Sequence, residues 1–163
     1  NYKSDDWSYN NNLEINDVNL KNDKENVVFK EDLDISIENY AAINQGEYLF
    51  RVNIFNKNTY VPKRYRNRKL PLKIARGYKD VDEFTIKIPE GYSLDVLPET
   101  KEISTKCGDY IVTFEKVDDT TLKYHKEILI KSGTYPKEDY KAYRSFRRSI
   151  ARYENTRIAL KKK

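Results

Sequence analysis

The chain of 163 residues contains one cysteine, one histidine, no methionine and only five glycines. A single cysteine excludes an internal disulfide, and a single histidine excludes any site that requires two imidazoles. The glycines are isolated from one another, so the sequence has no glycine-rich phosphate-binding loop. No apolar run approaches the ~20 residues that a membrane-spanning helix needs. We therefore expect no cofactor, no metal ion and no membrane span.

The chain also lacks a signal peptide and has no methionine even at position 1, so we expect it to be a segment of a longer protein. Charged residues make up 35% of the sequence and hydrophobic residues 38%. Its 14 tyrosines, 6 phenylalanines and one tryptophan nevertheless supply enough apolar surface for a core. The composition predicts a folded, tyrosine-rich domain.

The net charge of +5 is distributed unevenly along the chain. Residues 1–40 carry a net charge of −6 and the remaining residues +11; these acidic residues 1–40 either complete the main domain or form a small separate one. Basic residues concentrate at 61–80 and 137–163, and such patches attract anionic glycans, nucleic acids or membrane surfaces, although charge runs are also typical of solvated surface. Tyrosines are interleaved with the basic residues of the first patch, where they either stack on a ligand or anchor the loop. The candidate binding residues are Arg64, Tyr65, Arg66, Arg68 and Tyr78.

Alternating apolar residues predict several half-buried β-strands. The clearest strands are expected around residues 13–20, 33–37, 48–54, 84–88, 110–117 and 122–131, with a polar loop over 56–68. The polar residues 118–121 suit the turn of an antiparallel hairpin between the last two of these strands. Residues 157–160 are expected to form a final edge strand.

The pattern changes to helical spacing after Pro136, where Tyr143, Phe146, Ile150 and Tyr153 recur on one face. The sequence therefore predicts an all-β fold, an antiparallel β-sandwich of jelly-roll or immunoglobulin-like type, with one C-terminal α-helix at 136–153. We expect a single domain over 1–163, in which residues 1–26 form a loose N-terminal extension.

Residues with catalytic chemistry are scarce. His125 alternates with polar neighbours on a predicted strand, which is typical of a surface histidine. Cys107 precedes Gly108, and no neighbour that would lower the pKa of its thiol is evident. A Cys107–His125 pair across the predicted hairpin is the one nucleophilic arrangement that the sequence permits, but no third orienting group accompanies it. We expect no catalytic residue in this chain.

Seven short segments carry a family resemblance, in residues 64–71, 82–86, 88–92, 97–99, 105–110, 133–140 and 157–161. In order and spacing they resemble the C-terminal domain of unknown function of bacterial transglutaminase-like proteins, the module that follows the papain-like transglutaminase core. The resemblance covers residues 45–161 well and residues 10–44 more loosely. Cys107 departs from it, because the family tends to place an aromatic residue there, which favours a packing role for this thiol.

The resemblance implies a non-catalytic accessory domain that positions the catalytic core or binds a partner for it. The catalytic Cys, His and Asp of such proteins belong to the core, which is expected upstream in the same polypeptide. It also implies location in the periplasm or cell envelope of a Gram-negative bacterium, where a protein or an anionic glycan is the expected partner and nucleic acid is not. The alternative is a polyanion- or carbohydrate-binding module that uses the basic, tyrosine-containing loop 60–79.

Overall fold

The computed structural model of the chain describes residues 12–26 and 28–163. The chain divides into two compact units, of which the first ends at Ala42 and the second comprises Ile43–Lys163. The single domain over 1–163, with a loose extension at 1–26, stays a prediction.

The first unit contains an antiparallel hairpin of β1 (Leu13–Asp23) and β2 (Val28–Ile37). The Asp23 carboxylate accepts hydrogen bonds from the backbone N–H groups of Glu25 and Asn26, which fixes the turn after β1. A register shift between Ile15 and Asp17 places one extra residue in β1. None of the described residues in this unit is buried.

The second unit contains ten further strands and one α-helix. The strands are β3 (Ala42–Asn44, which begins at the unit boundary), β4 (Glu47–Arg51), β5 (Leu72–Ile74), β6 (Tyr78–Lys87), β7 (Tyr92–Leu94), β8 (Lys101–Thr105), β9 (Gly108–Lys116), β10 (Thr121–Ile130), β11 (Gly133–Tyr135) and β12 (Arg157–Lys162). A 3₁₀ turn at Lys137–Asp139 leads into helix α1 (Tyr140–Tyr153).

Two four-stranded sheets form the body of this unit. Their strand orders are β6-β10-β9-β8 and β3-β4-β12-β7, and β5 pairs with β11 in a small separate sheet. The assigned pairings between these strands are antiparallel. The predicted hairpin is confirmed, because β9 and β10 pair along their length and Val117 N–H donates to Thr121 O at 3.0 Å across the turn.

One hydrophobic core joins both sheets and the helix. It contains alternate residues of β9 and β10, such as Tyr110 and Ile128, together with Ile158 and Leu160 of β12. Phe146 and Ile150 of α1 complete it, and Tyr143 and Tyr153 pack at its margin. The predicted all-β fold with a C-terminal helix is therefore confirmed, and so is the predicted apolar face of that helix.

Strand β12 differs from the expectation. It pairs with β4 through Arg157–Leu160 and with β7 through Leu160–Lys162, so it lies inside its sheet and the predicted edge position is wrong. Its buried residues, Ile158 and Leu160, alternate as on any strand with one covered face. Periodicity reports the covered face of a strand and carries no information about its lateral neighbours.

Candidate basic cleft

Helix α1 holds the long irregular loop over 52–71 by a row of hydrogen bonds. The Tyr140 hydroxyl donates to Lys63 O at 2.5 Å, Arg144 Nε donates to Pro62 O at 2.9 Å, and Arg147 Nε donates to Tyr60 O at 3.2 Å. The three helix residues lie at helical spacing and therefore on one side of α1. The loop thus gains fixed partners for backbone carbonyls that no sheet satisfies.

Arg68 packs against two tyrosine rings that also contact each other. Its guanidinium carbon is 4.2 Å from the ring centre of Tyr140 and 5.8 Å from that of Tyr65, and the two rings are 5.7 Å apart. Its Nε and Nη2 donate to Leu70 O and Pro71 O, each at 2.9 Å. Burial raises the pKa of the Tyr140 hydroxyl against the opposing effect of Arg68, so this hydroxyl remains a donor. Arg68 and its two tyrosines therefore fix the loop against the helix.

An open cleft of about 660 Å³ lies beside Arg68 and its two tyrosines, between the loop and the exposed side of α1. The residues that line it come from two segments far apart in the sequence: Arg64, Tyr65, Arg66, Arg68, Lys137, Glu138, Tyr140, Lys141, Arg144, Ser145 and Arg148. We call this site the basic cleft, because seven of these side chains are cationic and only Glu138 is acidic.

Most of the positive charge in the basic cleft is uncompensated. Among the described residues, Arg64, Arg66, Lys141 and Arg148 have no hydrogen-bond or ion-pair partner, and all four are exposed. Glu138 is 3.8 Å from Lys137 Nζ and offsets that lysine. A concave surface lined by one sign of charge concentrates counter-ions and attracts anionic ligands.

The predicted binding residues divide into two groups. Arg64, Tyr65, Arg66 and Arg68 line the basic cleft, as a ligand site would require. Tyr78 does not line it, and its hydroxyl instead accepts hydrogen bonds from Arg147 Nη1 at 2.9 Å and Asn58 Nδ2 at 2.8 Å. Tyr78 therefore takes the anchoring role that the sequence left open for these tyrosines.

A second cleft of about 630 Å³ adjoins the basic cleft and shares Tyr65, Arg68 and Tyr140 with it. It is richer in apolar and aromatic groups, which include Tyr60, Pro62, Leu72, Ile74 and Tyr143. Tyr60 is 64% exposed. Exposed tyrosine rings beside cationic groups suit the faces of sugar rings as well as other aromatic groups.

The structure does not bring Cys107 and His125 together. Cys107 is buried with Leu72 and Tyr140, and burial, aided by the Asp139 charge, raises the pKa of its thiol against Lys106. His125 lies on the outer face of β10, where Nδ1 is 3.2 Å from Glu83 Oε1. Because Gly108 pairs with Ile130, about 16 Å of strand at 3.3 Å per residue separates the two sites. This arrangement excludes the Cys107–His125 nucleophile.

A buried polar cluster has no counterpart in the sequence-based predictions. Lys126, completely buried on the core side of β10, forms ion pairs with Asp82 of β6 and Glu154, and Asn53 contacts both carboxylates. The pattern did contain a signal, since Lys126 occupies an inward position between Tyr124 and Ile128. In the described part of the chain, no group of three or more His, Cys, Asp or Glu residues is suited to a metal ion.

These features define an all-β sandwich module with a solvent-open basic cleft. Within the described ranges, no helix is both long enough and apolar enough to cross a membrane. The model of a family described as a "Domain of Unknown Function with solved-structure structure (DUF3858)" matches residues 46–160, and the chain belongs to this family. No curated protein and no solved structure matches the chain.

Proposed function

We propose that this domain is a non-catalytic accessory module that binds an anionic glycan in the basic cleft. The observation that carries the proposal is the set of four exposed cations that line the cleft without partners in the described structure, Arg64, Arg66, Lys141 and Arg148. Surface cations that serve only solubility do not need to converge on one concave site from two distant segments. This convergence favours a polyanionic ligand over a merely solvated surface.

The tyrosines beside the cleft favour a glycan as the class of anion. Tyr65 and Tyr140 border both clefts, and the adjoining second cleft adds the exposed ring of Tyr60. An acidic polysaccharide presents charged groups and apolar sugar faces alternately, which matches cations interspersed with rings. Rigid positioning of the loop by α1 lowers the entropy cost of binding, because the site does not need to become ordered around its ligand.

We also propose that the domain follows a transglutaminase-like core in its parent polypeptide and lies in the periplasm or cell envelope of a Gram-negative bacterium. The support is the ordered resemblance over residues 45–161. Detection of peptides from this chain in a periplasmic fraction, on a polypeptide large enough for a further domain, would support the placement. Acyl-transfer or amidase turnover by the isolated chain would contradict the non-catalytic role.

The binding proposal is tested by retention on an immobilised sulfated polysaccharide across a salt series. The test variant carries Arg64→Glu, Arg66→Glu and Arg148→Glu. The matched control carries Lys101→Glu, Lys123→Glu and Lys162→Glu, which change the net charge equally at exposed strand positions outside the cleft. Each neutralised phosphate of a nucleic acid contributes about 0.7–0.9 to the slope of log K against log salt, so four cation contacts with a polyanion predict a slope of roughly 3.

We expect the wild type and the control to be retained with similar slopes and the cleft variant to elute at low salt. Equal losses in both variants would contradict a defined site, because they would indicate attraction by net charge alone. A further variant, Tyr65→Ala, is expected to weaken binding to the polysaccharide more than binding to polyphosphate. Equal weakening for both polymers would contradict the glycan assignment.

A further inference from the structure

The buried polar cluster places an amine against a carboxyl group inside the sandwich. Lys126 and Asp82 are direct partners across the antiparallel pair β10–β6, and both side chains lie on the core face. Lys126 Nζ forms an ion pair with Asp82 Oδ2 and is 3.7 Å from Glu154 Oε2. The side chains of Lys126 and Glu154 are 1% and 0% exposed, and that of Asp82 is 12% exposed.

Two asparagine amides orient the Asp82 carboxyl group. Asn53 Nδ2 lies 3.1 Å from Asp82 Oδ2, and Asn56 Nδ2 lies 3.1 Å from Asp82 Oδ1. Donors aimed at both oxygens draw electron density from Cγ and stabilise negative charge that develops on oxygen during attack at this carbon. Asn53 Nδ2 is also 3.2 Å from Glu154 Oε2, so it links the two carboxyl groups.

The Glu154 carboxyl group lies among a cation and several hydrogen-bond donors. Burial raises the pKa of this carboxyl group, while Lys126, the Asn58 N–H at 3.1 Å and the Tyr110 hydroxyl at 3.2 Å act in the opposite direction. One cation and two carboxyl groups therefore lie together, and two of the three, Lys126 and Glu154, are fully buried. Burial of such charges is costly unless they are paired or neutralised.

We propose that Lys126 and Asp82 condense to an intramolecular amide cross-link, with Glu154 as the proton carrier. Glu154 transfers a proton from the Lys126 ammonium to the Asp82 carboxylate, which leaves a neutral amine and a neutral carboxylic acid. The amine lone pair forms the Nζ–Cγ bond, and the bond from Cγ to the protonated oxygen breaks. That oxygen leaves as water with one hydrogen from the acid and one from Nζ. No oxidant, reductant or co-reactant is required.

The site favours this reaction for two physical reasons. Fixed contact between amine and carboxyl replaces an encounter in solution, which is the largest entropic barrier to amide formation. Condensation also removes two buried charges and leaves an uncharged amide among hydrogen-bonding groups, so the desolvation penalty of the ion pair is relieved. The product joins two neighbouring strands covalently. It restricts the conformations of the unfolded chain, as a disulfide bond does.

Intact-mass measurement on the purified, unfolded full chain tests the proposal directly. We expect the wild-type mass to lie below the sequence mass by one water molecule. Proteolysis should release a branched peptide that joins Lys126 to Asp82, whereas the partly exposed Lys131–Asp109 ion pair, with Nζ and Oδ2 2.7 Å apart, should yield only linear peptides. A wild-type chain at its full sequence mass would overturn the cross-link.

Three variants sharpen the result. Asp82→Asn is expected to lose ammonia instead of water and to reach the same final mass as the linked wild type, since both form the same amide. Lys126→Arg is expected to retain its full mass. Glu154→Gln, which preserves the shape of the side chain, is expected to retain its full mass while remaining folded by circular dichroism. A fully linked Glu154→Gln chain would overturn the role of Glu154 as proton carrier.

Discussion

Arg147 shows how one side chain connects the helix to the loop. It is 4% exposed, and its guanidinium donates to Tyr60 O at 3.2 Å, to the Tyr78 hydroxyl at 2.9 Å and to Asn58 Oδ1. The planar fork of an arginine serves three acceptors at fixed angles, and the single ammonium of a lysine cannot. The role of Arg147 therefore depends on the geometry of its guanidinium group and not on its charge alone.

We predict that Arg147→Lys lowers the free energy of unfolding by about 1–3 kcal/mol, because buried acceptors lose their donors. The measurement is urea unfolding followed by circular dichroism. Arg148→Lys, one residue further and exposed in the basic cleft, is the matched control and should change stability by less than about 0.5 kcal/mol. Equal effects of the two substitutions would refute the structural role of Arg147.

The Cys107 thiol is 2% exposed, and its pKa is raised by burial first and by Asp139 second. Since the thiolate is the reactive form, we predict that iodoacetamide modifies Cys107 in the folded chain at least about tenfold more slowly than in denaturant. The measurement is the mass shift against time under both conditions, at equal pH. Comparable rates would show that the thiol is reactive and would reopen a nucleophilic role.

Asp109 is predicted to make the stability of the domain depend on pH. Hydrogen bonds from Lys131 first and Ser104 second, at 2.7 Å and 2.6 Å, lower the pKa of its carboxyl group below 3.8. The stabilisation is therefore present above the unfolded-state pKa and is lost as the pH falls through the lower folded-state pKa. Because both side chains are partly exposed, it amounts to no more than about 1 kcal/mol.

The measurement is the urea midpoint of wild type and Asp109→Asn, at neutral pH and at about pH 3. Asp109→Asn should be less stable at neutral pH, and the difference should shrink on acidification. Glu102→Gln, at an exposed position on β8 with no ion-pair partner among the described residues, is the control. A difference that grew on acidification would contradict the assigned sign.

At the scale of elements, α1 serves two faces with different chemistry. Phe146 and Ile150 enter the core between the sheets, whereas Arg144 and Arg148 border the basic cleft. The helical period separates these faces along one segment, and the apolar face was predicted from the sequence. The same segment therefore stabilises the sandwich and supplies part of the candidate binding surface.

We predict that Phe146→Ala lowers the free energy of unfolding by about 3–5 kcal/mol, since the ring is 2% exposed and its removal leaves a cavity. Urea unfolding gives the value directly. Ser145→Ala, at the adjacent exposed position, should change it by less than about 0.5 kcal/mol. An unchanged midpoint for Phe146→Ala would mean that α1 does not belong to the core.

The shortest strands escaped detection. Strands β3, β5, β7 and β11 each have three residues, so alternation has no room to repeat. Strands β3 and β7 form because a longer neighbour supplies the hydrogen-bonding edge, as β12 does for β7, whereas β5 and β11 pair with each other. Their existence is therefore a property of the assembled sheet and not of the local sequence.

At the scale of the whole molecule, the buried residues in the described part of the chain all belong to the second unit. The buried hydrophobic residues lie between Ile54 and Leu160, and none of the described residues before Ile43 is buried. A two-stranded hairpin is marginal by itself in water, whereas two sheets and a helix around one core are typical of an independent domain. The division into two units follows this distribution of apolar contacts.

We predict that a chain of residues 42–163 unfolds cooperatively in urea, with a midpoint close to that of the full chain, because it retains the complete core. Circular dichroism and tyrosine fluorescence should report coincident transitions. The control is a chain that ends at residue 153, which keeps α1 and lacks β12. It should fail to fold, since β12 is an internal strand with two paired neighbours. A broad, non-cooperative transition for 42–163 would contradict the prediction.

The sequence by itself determined the features that depend on near neighbours. Alternation identified the longer strands, helical spacing identified α1, and the two basic segments were apparent from composition. Four of the five candidate binding residues lie in one polar segment with clustered arginines, and such a segment has to be at the surface, where these four line the basic cleft. The local pattern is enough to identify a helix or strand wherever successive side chains alternate between the solvent and the core.

Only the tertiary structure decided what lies beside what. It placed β12 inside its sheet, brought Arg64 and Arg148 to one cleft, turned Tyr78 away from it, and enclosed Lys126 with Asp82 and Glu154. Each of these juxtapositions joins residues far apart in the chain, and their free energy comes from desolvation and pairing that exist only after the sheets and helix close. Periodicity in a single sequence cannot specify such pairings, because the partners belong to different segments of the chain.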